Sequence, residues 1–202
     1  MYPHPMYVLI SHRHGLEILN MFHSMVINLA RAIDSPELIP AALYDLARFS
    51  PSDAAAGYIC SKTSETHQLS HDDLMNLLKG REHASRFLST FIVNELEGRE
   101  PVASCIYQME ADPSRRRICQ AAFEAITFEL LRDNGVACNR SSDPLYAISD
   151  AEVMQTRDNA QNSVYRACEY CRSEFGSVVD AAREDFWQML PHWFGVDLQT
   201  WN

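Results

Sequence analysis

Apolar residues recur every three or four positions along most of this 202-residue chain, and this spacing constrains the fold more than any other feature. Residues spaced in this way lie on one face of an α-helix, whereas a half-buried strand needs strict alternation of apolar and polar residues. The chain has only 7 glycines and few alternating runs of Val, Ile or Thr, which argues against a sandwich or a barrel. The sequence therefore predicts an all-α fold, with about six helices in a single irregular helical bundle.

Capping and breaking residues set the predicted helix boundaries. Ser70 and Asp73 form a capping-box pattern at the start of the third helix, and Gly80 is expected to divide that helix in two. Pro191 disfavours helical geometry at Leu190, so the longest helix is expected to end there. The predicted helices are 14–33, 37–49, 70–96, 114–132, 145–154 and 162–190, within a single domain over 14–197 flanked by tails at 1–13 and 198–202.

Charge and hydropathy exclude two classes of partner. The net charge is −10, and binding to a nucleic acid would require clustered Lys and Arg, so no nucleic-acid partner is expected. The one basic run, Arg115–Arg117, follows Asp112-Pro113-Ser114 and is expected to be the solvated first turn of a helix. No apolar run approaches the roughly 20 residues that cross a bilayer, and the first residues lack the pattern of a signal peptide. We expect a cytoplasmic or nuclear protein without a membrane partner.

The cysteines are the sharpest candidates for chemistry. Six cysteines in a chain with this expected location are better explained as core thiols or metal ligands than as a disulfide framework. Cys168 and Cys171 are three residues apart and share a helix face, and Cys105 and Cys119 would complete the four thiolates of a structural zinc site. However, Cys105 and Cys119 are not a CxxC pair, and Cys168 and Cys171 fall on a predicted apolar stripe. We expect core thiols without a cofactor, and zinc is the alternative.

A second set of candidate ligands surrounds the predicted start of the third helix. His67, His71, Asp72 and Asp73 could bind a divalent cation, and the alternative function they indicate is that of a metal-dependent hydrolase. The same residues also suit a helix start, because acidic side chains are favoured in the first turn by the helix dipole. The sequence lacks a nucleophile elbow, a P-loop and a zinc-protease motif, so we expect no enzymatic activity.

Aromatic residues are concentrated near the end of the chain. Trp187, Trp193 and Phe194 are candidates for binding a protein partner, since aromatic side chains often anchor interfaces. The favoured interpretation is that these side chains close the core where the last helix ends.

Several segments together resemble the helical region that follows the BTB/POZ domain in basidiomycete fungal proteins. The resemblance spans about residues 25–195, and it is the order and spacing of the segments that make it specific. The segments are Ile39-Pro-Ala-Ala-Leu-Tyr-Asp-Leu-Ala-Arg48, Leu78-Lys-Gly-Arg-Glu-His83, Ser142-Asp-Pro-Leu145, Cys168-Glu-Tyr-Cys171 with Arg172 and Phe175, Ala182-Arg-Glu-Asp-Phe-Trp187 and Leu190-Pro-His-Trp-Phe-Gly195.

This resemblance implies a non-enzymatic protein-interaction module, since BTB proteins commonly dimerise and many act as adaptors of ubiquitin ligases. The strand pattern of a BTB domain itself is missing from this sequence, so the dimerisation and ligase-binding surfaces of that domain are not carried over. The resemblance brings no catalytic residues with it. A protein partner is therefore expected, and its identity is left open.

Overall fold

The described part of the chain is mostly helical, which confirms the predicted all-α fold. The computed structural model describes residues 24–59, 66–132, 143–153, 156–157 and 164–201. These residues form eight α-helices where about six were predicted. The two additional helices are short, and each begins with a proline behind a polar cap, Ser50 for one and Asp112 for the other.

Residues 14–23 of the first predicted helix lie outside the described residues, and 24–32 are helical as predicted. A 3₁₀ turn, Pro36–Leu38, precedes the helix Ile39–Ala47, and a π-helical turn, Ile92–Leu96, continues the helix His71–Phe91. No helix in the described ranges combines the length and the apolar character needed to cross a membrane. The α-helices are α1 (24–32), α2 (Ile39–Ala47), α3 (Pro51–Ala56), α4 (His71–Phe91), α5 (Pro113–Arg116), α6 (Ile118–Arg132), α7 (Pro144–Val153) and α8 (Glu169–Trp193).

Two pairs of very short antiparallel strands join the helices, and the sequence did not indicate them. Strand β1 (Tyr58–Ile59) pairs with β2 (Thr66–His67), and β3 (Thr156–Arg157) pairs with β4 (Val164–Tyr165). A strand of two residues is too short to show the alternation by which strands are recognised, which explains why none was predicted.

The described residues group into two compact units. The first unit takes the chain up to Gly80 together with Pro191–Trp201, and the second takes Arg81–Leu190. Helices α4 and α8 each contribute residues to both units. The predicted single domain over 14–197 stays a prediction.

In the first unit, the start of α4 has the N-cap half of the predicted capping box, while the Asp73 carboxylate bonds to the Ser70 hydroxyl and to Arg31 instead of the Ser70 N–H. The Ser70 hydroxyl accepts the Asp73 backbone N–H at 3.1 Å and donates to the Asp73 carboxylate at 2.7 Å. The same carboxylate is only 1% exposed and accepts two hydrogen bonds from the Arg31 guanidinium, one of them at 3.1 Å from Nε. Arg31 is half exposed, but without it the buried Asp73 carboxylate would lose its opposite charge, so this contact ties α1 to α4.

The predicted break at Gly80 is wrong, because α4 continues through this residue to Phe91. A glycine is needed at this position because the ring of Phe194 leaves no room for a side chain. A Cβ atom at this position would lie 2.6 Å from Cζ of Phe194 and closer still to two other ring atoms. Phe194 itself has no exposed surface. The glycine therefore lets the ring pack directly on the backbone of α4 within the first unit.

The predicted end of the last helix at Leu190 is also wrong, since α8 includes Pro191 and ends at Trp193. Pro191 removes one backbone hydrogen bond, since its nitrogen has no hydrogen to donate, and only two residues of the helix follow it. Gly195, two residues after the last helical residue, turns the chain out of the helix with a φ of 66°, which glycine readily adopts. The N–H of Val196 donates to Pro191 at 2.9 Å and that of Gly195 to His192 at 3.2 Å, which is a Schellman motif.

The core of the second unit is built around Phe175 of α8. Its ring meets that of Phe123 edge to face, with centroids 5.4 Å apart, and lies 6.5 Å from the ring of Phe91. The Arg99 guanidinium lies 4.9 Å from the Phe175 centroid and 5.3 Å from that of Phe123, and it forms an ion pair with Glu174. Arg99 therefore fixes the start of the loop that leads to Cys105.

Candidate metal centre

Cys168 and Cys171 lie at the beginning of α8, not within a longer helix as predicted. The helix predicted over 162–190 begins at Glu169, seven residues later than predicted. Val164–Tyr165 pairs as a strand instead, and Cys168 is the residue immediately before the helix. The Cys168 carbonyl accepts the Arg172 N–H at 2.9 Å, which is the first hydrogen bond of the helix. Cys171 is in the first turn. Both sulfurs are thus placed where the partial positive charge of the helix N-terminus favours anions.

Cys105 and Cys119 come from two other parts of the second unit. Cys105 lies in the loop between the π-helical turn and α5, where its N–H donates to Val102 at 2.9 Å and its carbonyl accepts from Gln108 at 3.1 Å. Cys119 is the second residue of α6, so it also lies in the first turn of a helix. Two helix beginnings and one loop therefore supply the four cysteines.

The four cysteines converge on one point. Their sulfur atoms all lie within 4.8 Å of one another, and each residue is buried. The Cys105 and Cys119 sulfurs are 3.6 Å apart and the Cys105 and Cys168 sulfurs 3.9 Å apart. The chain therefore contains a group of four buried cysteines that could share one metal ion.

Backbone N–H groups point at these sulfurs. The Cys168 N–H donates to the Cys119 sulfur at 3.2 Å, and backbone hydrogen bonds from Cys171 and Ile106 reach the Cys168 sulfur. Such donors stabilise sulfur in its thiolate form, which is the form that binds metal. The sequence could not reveal these donors, because they depend on how the loop folds back onto the start of α8.

Burial and hydrogen bonding act in opposite directions on the pKa values of the thiols. Burial raises the pKa of Cys119, and it raises the pKa of Cys171 to about 12. For Cys168, burial alone would raise the pKa, but hydrogen bonds from the backbone N–H groups of Cys171 and Ile106, together with those from the thiols of Cys171 and Cys119, lower it to about 7. A bound metal would deprotonate the coordinating thiols, including Cys119 and Cys171, whose charged forms burial disfavours.

The residues of the hydrolase alternative do not form a comparable group. His71 and Asp72 are exposed in the first turn of α4, and Asp73 is buried in its ion pair with Arg31. In the described ranges, the four cysteines are the only group of three or more His, Cys, Asp or Glu side chains close enough to hold a metal. The geometry thus gives the hydrolase alternative no support.

The candidate partner-binding aromatics are largely buried. Trp193 is 8% exposed, Phe194 has no exposed surface, and Trp187 is partly buried. Phe194 packs on Gly80, which agrees with the favoured interpretation that it closes a core. A partner-binding role for these three residues stays a prediction. Of the six cysteines, Cys60 and Cys138 lie outside the described residues.

Comparison with known proteins identifies no relative. No family model matches the chain, and no curated protein or solved structure matches it either. The resemblance to the region after the BTB domain therefore stays a prediction, and any functional conclusion depends on the geometry of the cysteines.

Proposed function

We propose that this chain is a non-enzymatic helical domain in which one structural zinc ion is bound by Cys105, Cys119, Cys168 and Cys171. The observation that carries the proposal is the convergence of the four buried sulfurs on one point. Packing of thiols in a core does not require four sulfurs to meet, whereas a tetrahedral metal ion does.

The sulfur separations suit a single zinc ion. Zinc binds thiolates at about 2.3 Å, so two corners of a regular ZnS4 tetrahedron are about 3.8 Å apart. Two of the six separations between cysteine sulfurs, 3.6 and 3.9 Å, lie on either side of this value, and all six are within 4.8 Å. A multinuclear iron–sulfur cluster would require wider spacing, because its thiolates bind different iron atoms.

The ligand set favours a structural ion over a catalytic one. Four thiolates close the coordination sphere of zinc, whereas catalytic zinc keeps an open position for water or substrate. Four thiolates and one zinc ion carry a net charge of about −2. The backbone donors and the N-terminus of α8 offset this charge.

The zinc ion would join segments that are distant in sequence. Cys105 and Cys168 are 63 residues apart, and one lies in a loop while the other precedes the longest helix. A cross-link between such segments stabilises a small core that has few other constraints. The function of the ion is thus to hold the loop, α6 and α8 together in the second unit.

Zinc content tests this proposal. The purified, untagged chain is expected to contain one zinc per molecule by elemental analysis, and Cys171→Ser is expected to lower this to less than about one tenth after dialysis. His71→Ala and the double variant Cys60→Ser/Cys138→Ser serve as matched controls and are expected to keep the metal. Metal that survives Cys171→Ser but is lost in His71→Ala would instead support the hydrolase.

A protein partner is the second part of the proposal, and exposed apolar residues near the cysteines favour it. Ile106 is 56%, Met109 93% and Tyr170 55% exposed, and all three belong to the segments that carry Cys105 and Cys168. The double variant Ile106→Asp/Met109→Asp is expected to keep its zinc and its melting temperature. In proximity labelling it is expected to lose partners that the parent chain labels. An unchanged set of labelled partners would contradict a binding role for this surface.

A further inference from the structure

The second unit also contains the geometry of a redox modification site. The Cys105 and Cys119 sulfurs are 3.6 Å apart, which is the shorter of the two separations given above. A disulfide requires about 2.05 Å, so the two sulfurs need to approach by about 1.6 Å. Cys119 is fixed in the first turn of α6, whereas Cys105 lies in a loop of consecutive turns, so the loop is the part that can move.

The four cysteine residues differ slightly in solvent exposure. Cys119 and Cys171 have no exposed surface, while Cys105 is 5% exposed. Cys168 is 6% exposed, but it is fixed at the start of α8. Of the two cysteines with any exposed surface, Cys105 is therefore the one in a loop, and the Cys119 sulfur lies 3.6 Å from its own.

We propose that Cys105 and Cys119 form a peroxide-sensitive disulfide pair whose oxidation releases the metal. This inference rests on the proposed function, since it assigns a mode of regulation to the same four cysteines. After oxidation only Cys168 and Cys171 remain as thiolate ligands, and two thiolates do not close the coordination sphere of zinc.

The chemistry balances with hydrogen peroxide as the oxidant. The Cys105 thiolate attacks one peroxide oxygen, the O–O bond breaks, and a sulfenic acid and hydroxide form. The Cys119 thiolate then attacks the Cys105 sulfur, the S–S bond forms, the S–O bond breaks and a second hydroxide leaves. Two protons from solvent convert both hydroxides to water. The two sulfurs lose two electrons, the peroxide gains them, and zinc leaves as Zn²⁺.

Trypsin separates the possible disulfides, because it would place the cysteines on three different peptides. Cys105 would lie on Glu100–Arg115, Cys119 on Ile118–Arg132, and Cys168 with Cys171 on Ala167–Arg172. The full zinc-loaded chain is treated with peroxide, zinc is followed with a chromogenic chelator, and the peptides are mapped without reduction. We expect about one zinc released per chain, at least about ten times faster than without peroxide. The linked pair is expected to be Glu100–Arg115 with Ile118–Arg132.

Two controls isolate the reaction. Cys60→Ser/Cys138→Ser removes the other two thiols, and Met109→Leu removes an exposed methionine that peroxide also oxidises. Both variants are expected to release zinc as the parent does, and a reductant with added zinc is expected to restore the metal. Zinc that stays bound under peroxide, or Cys105 linked only to Ala167–Arg172, would overturn the inference. A chain that contains no zinc before treatment contradicts the proposed function instead, and its peptide map still tests the Cys105–Cys119 pairing.

Discussion

Removal of zinc is expected to lower the thermal unfolding midpoint of this chain by roughly 20 °C or more. Zinc bound by four thiolates contributes about 10 kcal/mol to the folding of small domains, which is as large as the total stability of many of them. At this chain length, each kcal/mol shifts the midpoint by about 2–4 °C. Circular dichroism at 222 nm, recorded before and after treatment with a strong chelator, measures the change.

The loop between the π-helical turn and α5 is the reason why removal of zinc is expected to lower the unfolding midpoint. Its backbone forms turns and no regular helix or strand, so its position depends on Arg99 at one end and Cys105 in the middle. Without the metal, the four thiols no longer bind a common ion, and the Cys105 loop loses that link to the starts of α6 and α8. Chelator saturated with zinc beforehand is the control and should leave the melting curve unchanged. An unchanged midpoint after complete removal of the metal would show that the thiols only pack.

Substitution of Gly80 by alanine is expected to lower the free energy of unfolding by about 2 kcal/mol. In an open helix the same change raises stability by about 1 kcal/mol, because alanine is the better helix former. Here the new Cβ would overlap the buried ring of Phe194, and overpacking of this kind costs about 1–3 kcal/mol or more. Urea denaturation of both proteins measures the difference.

A double-mutant cycle separates the clash from other effects. Phe194→Leu is expected to be destabilising by itself but to remove most of the additional cost of Gly80→Ala, because the smaller side chain makes room for the Cβ. Gly98→Ala is a matched control, since a Cβ there would have no neighbour within 4 Å although φ is +69°. We expect Gly98→Ala to lower the free energy of unfolding by about 1 kcal/mol, because alanine is disfavoured at a positive φ. A rise in stability for Gly80→Ala would contradict the packing of Phe194 on α4.

Local rules were sufficient for most of the helical fold. The spacing of apolar residues places α2, α4, α6 and α7, and the Ser70 hydroxyl caps α4 as predicted. One error arose where a tertiary contact overrides local preference, and another where one local signal outweighs a different one. Gly80 looks like a helix breaker, but the contact with Phe194 that requires it is over a hundred residues away in sequence. Pro191 looks like a helix end, but the Schellman motif at Gly195 ends the helix.

The candidate site was only half visible in the sequence. The spacing of Cys168 and Cys171 identifies them as a CxxC pair. The predicted helix runs through both residues and places both thiols on an apolar stripe, whereas the helix begins after Cys168. Cys105 and Cys119 are 14 residues apart and carry no motif, so only the folded loop shows that their sulfurs meet. The separation between Cys105 and Cys168, 63 residues, is far beyond any local rule.

X-ray absorption at the zinc edge of the purified chain tests the central claim most directly. The number and type of ligand atoms and their distance from the metal are measured on the unsubstituted chain. Binding by Cys105, Cys119, Cys168 and Cys171 predicts four sulfur neighbours at about 2.3 Å and no nitrogen or oxygen neighbour. Fewer than four sulfur neighbours, nitrogen or oxygen ligands, or a chain that contains no metal would contradict it.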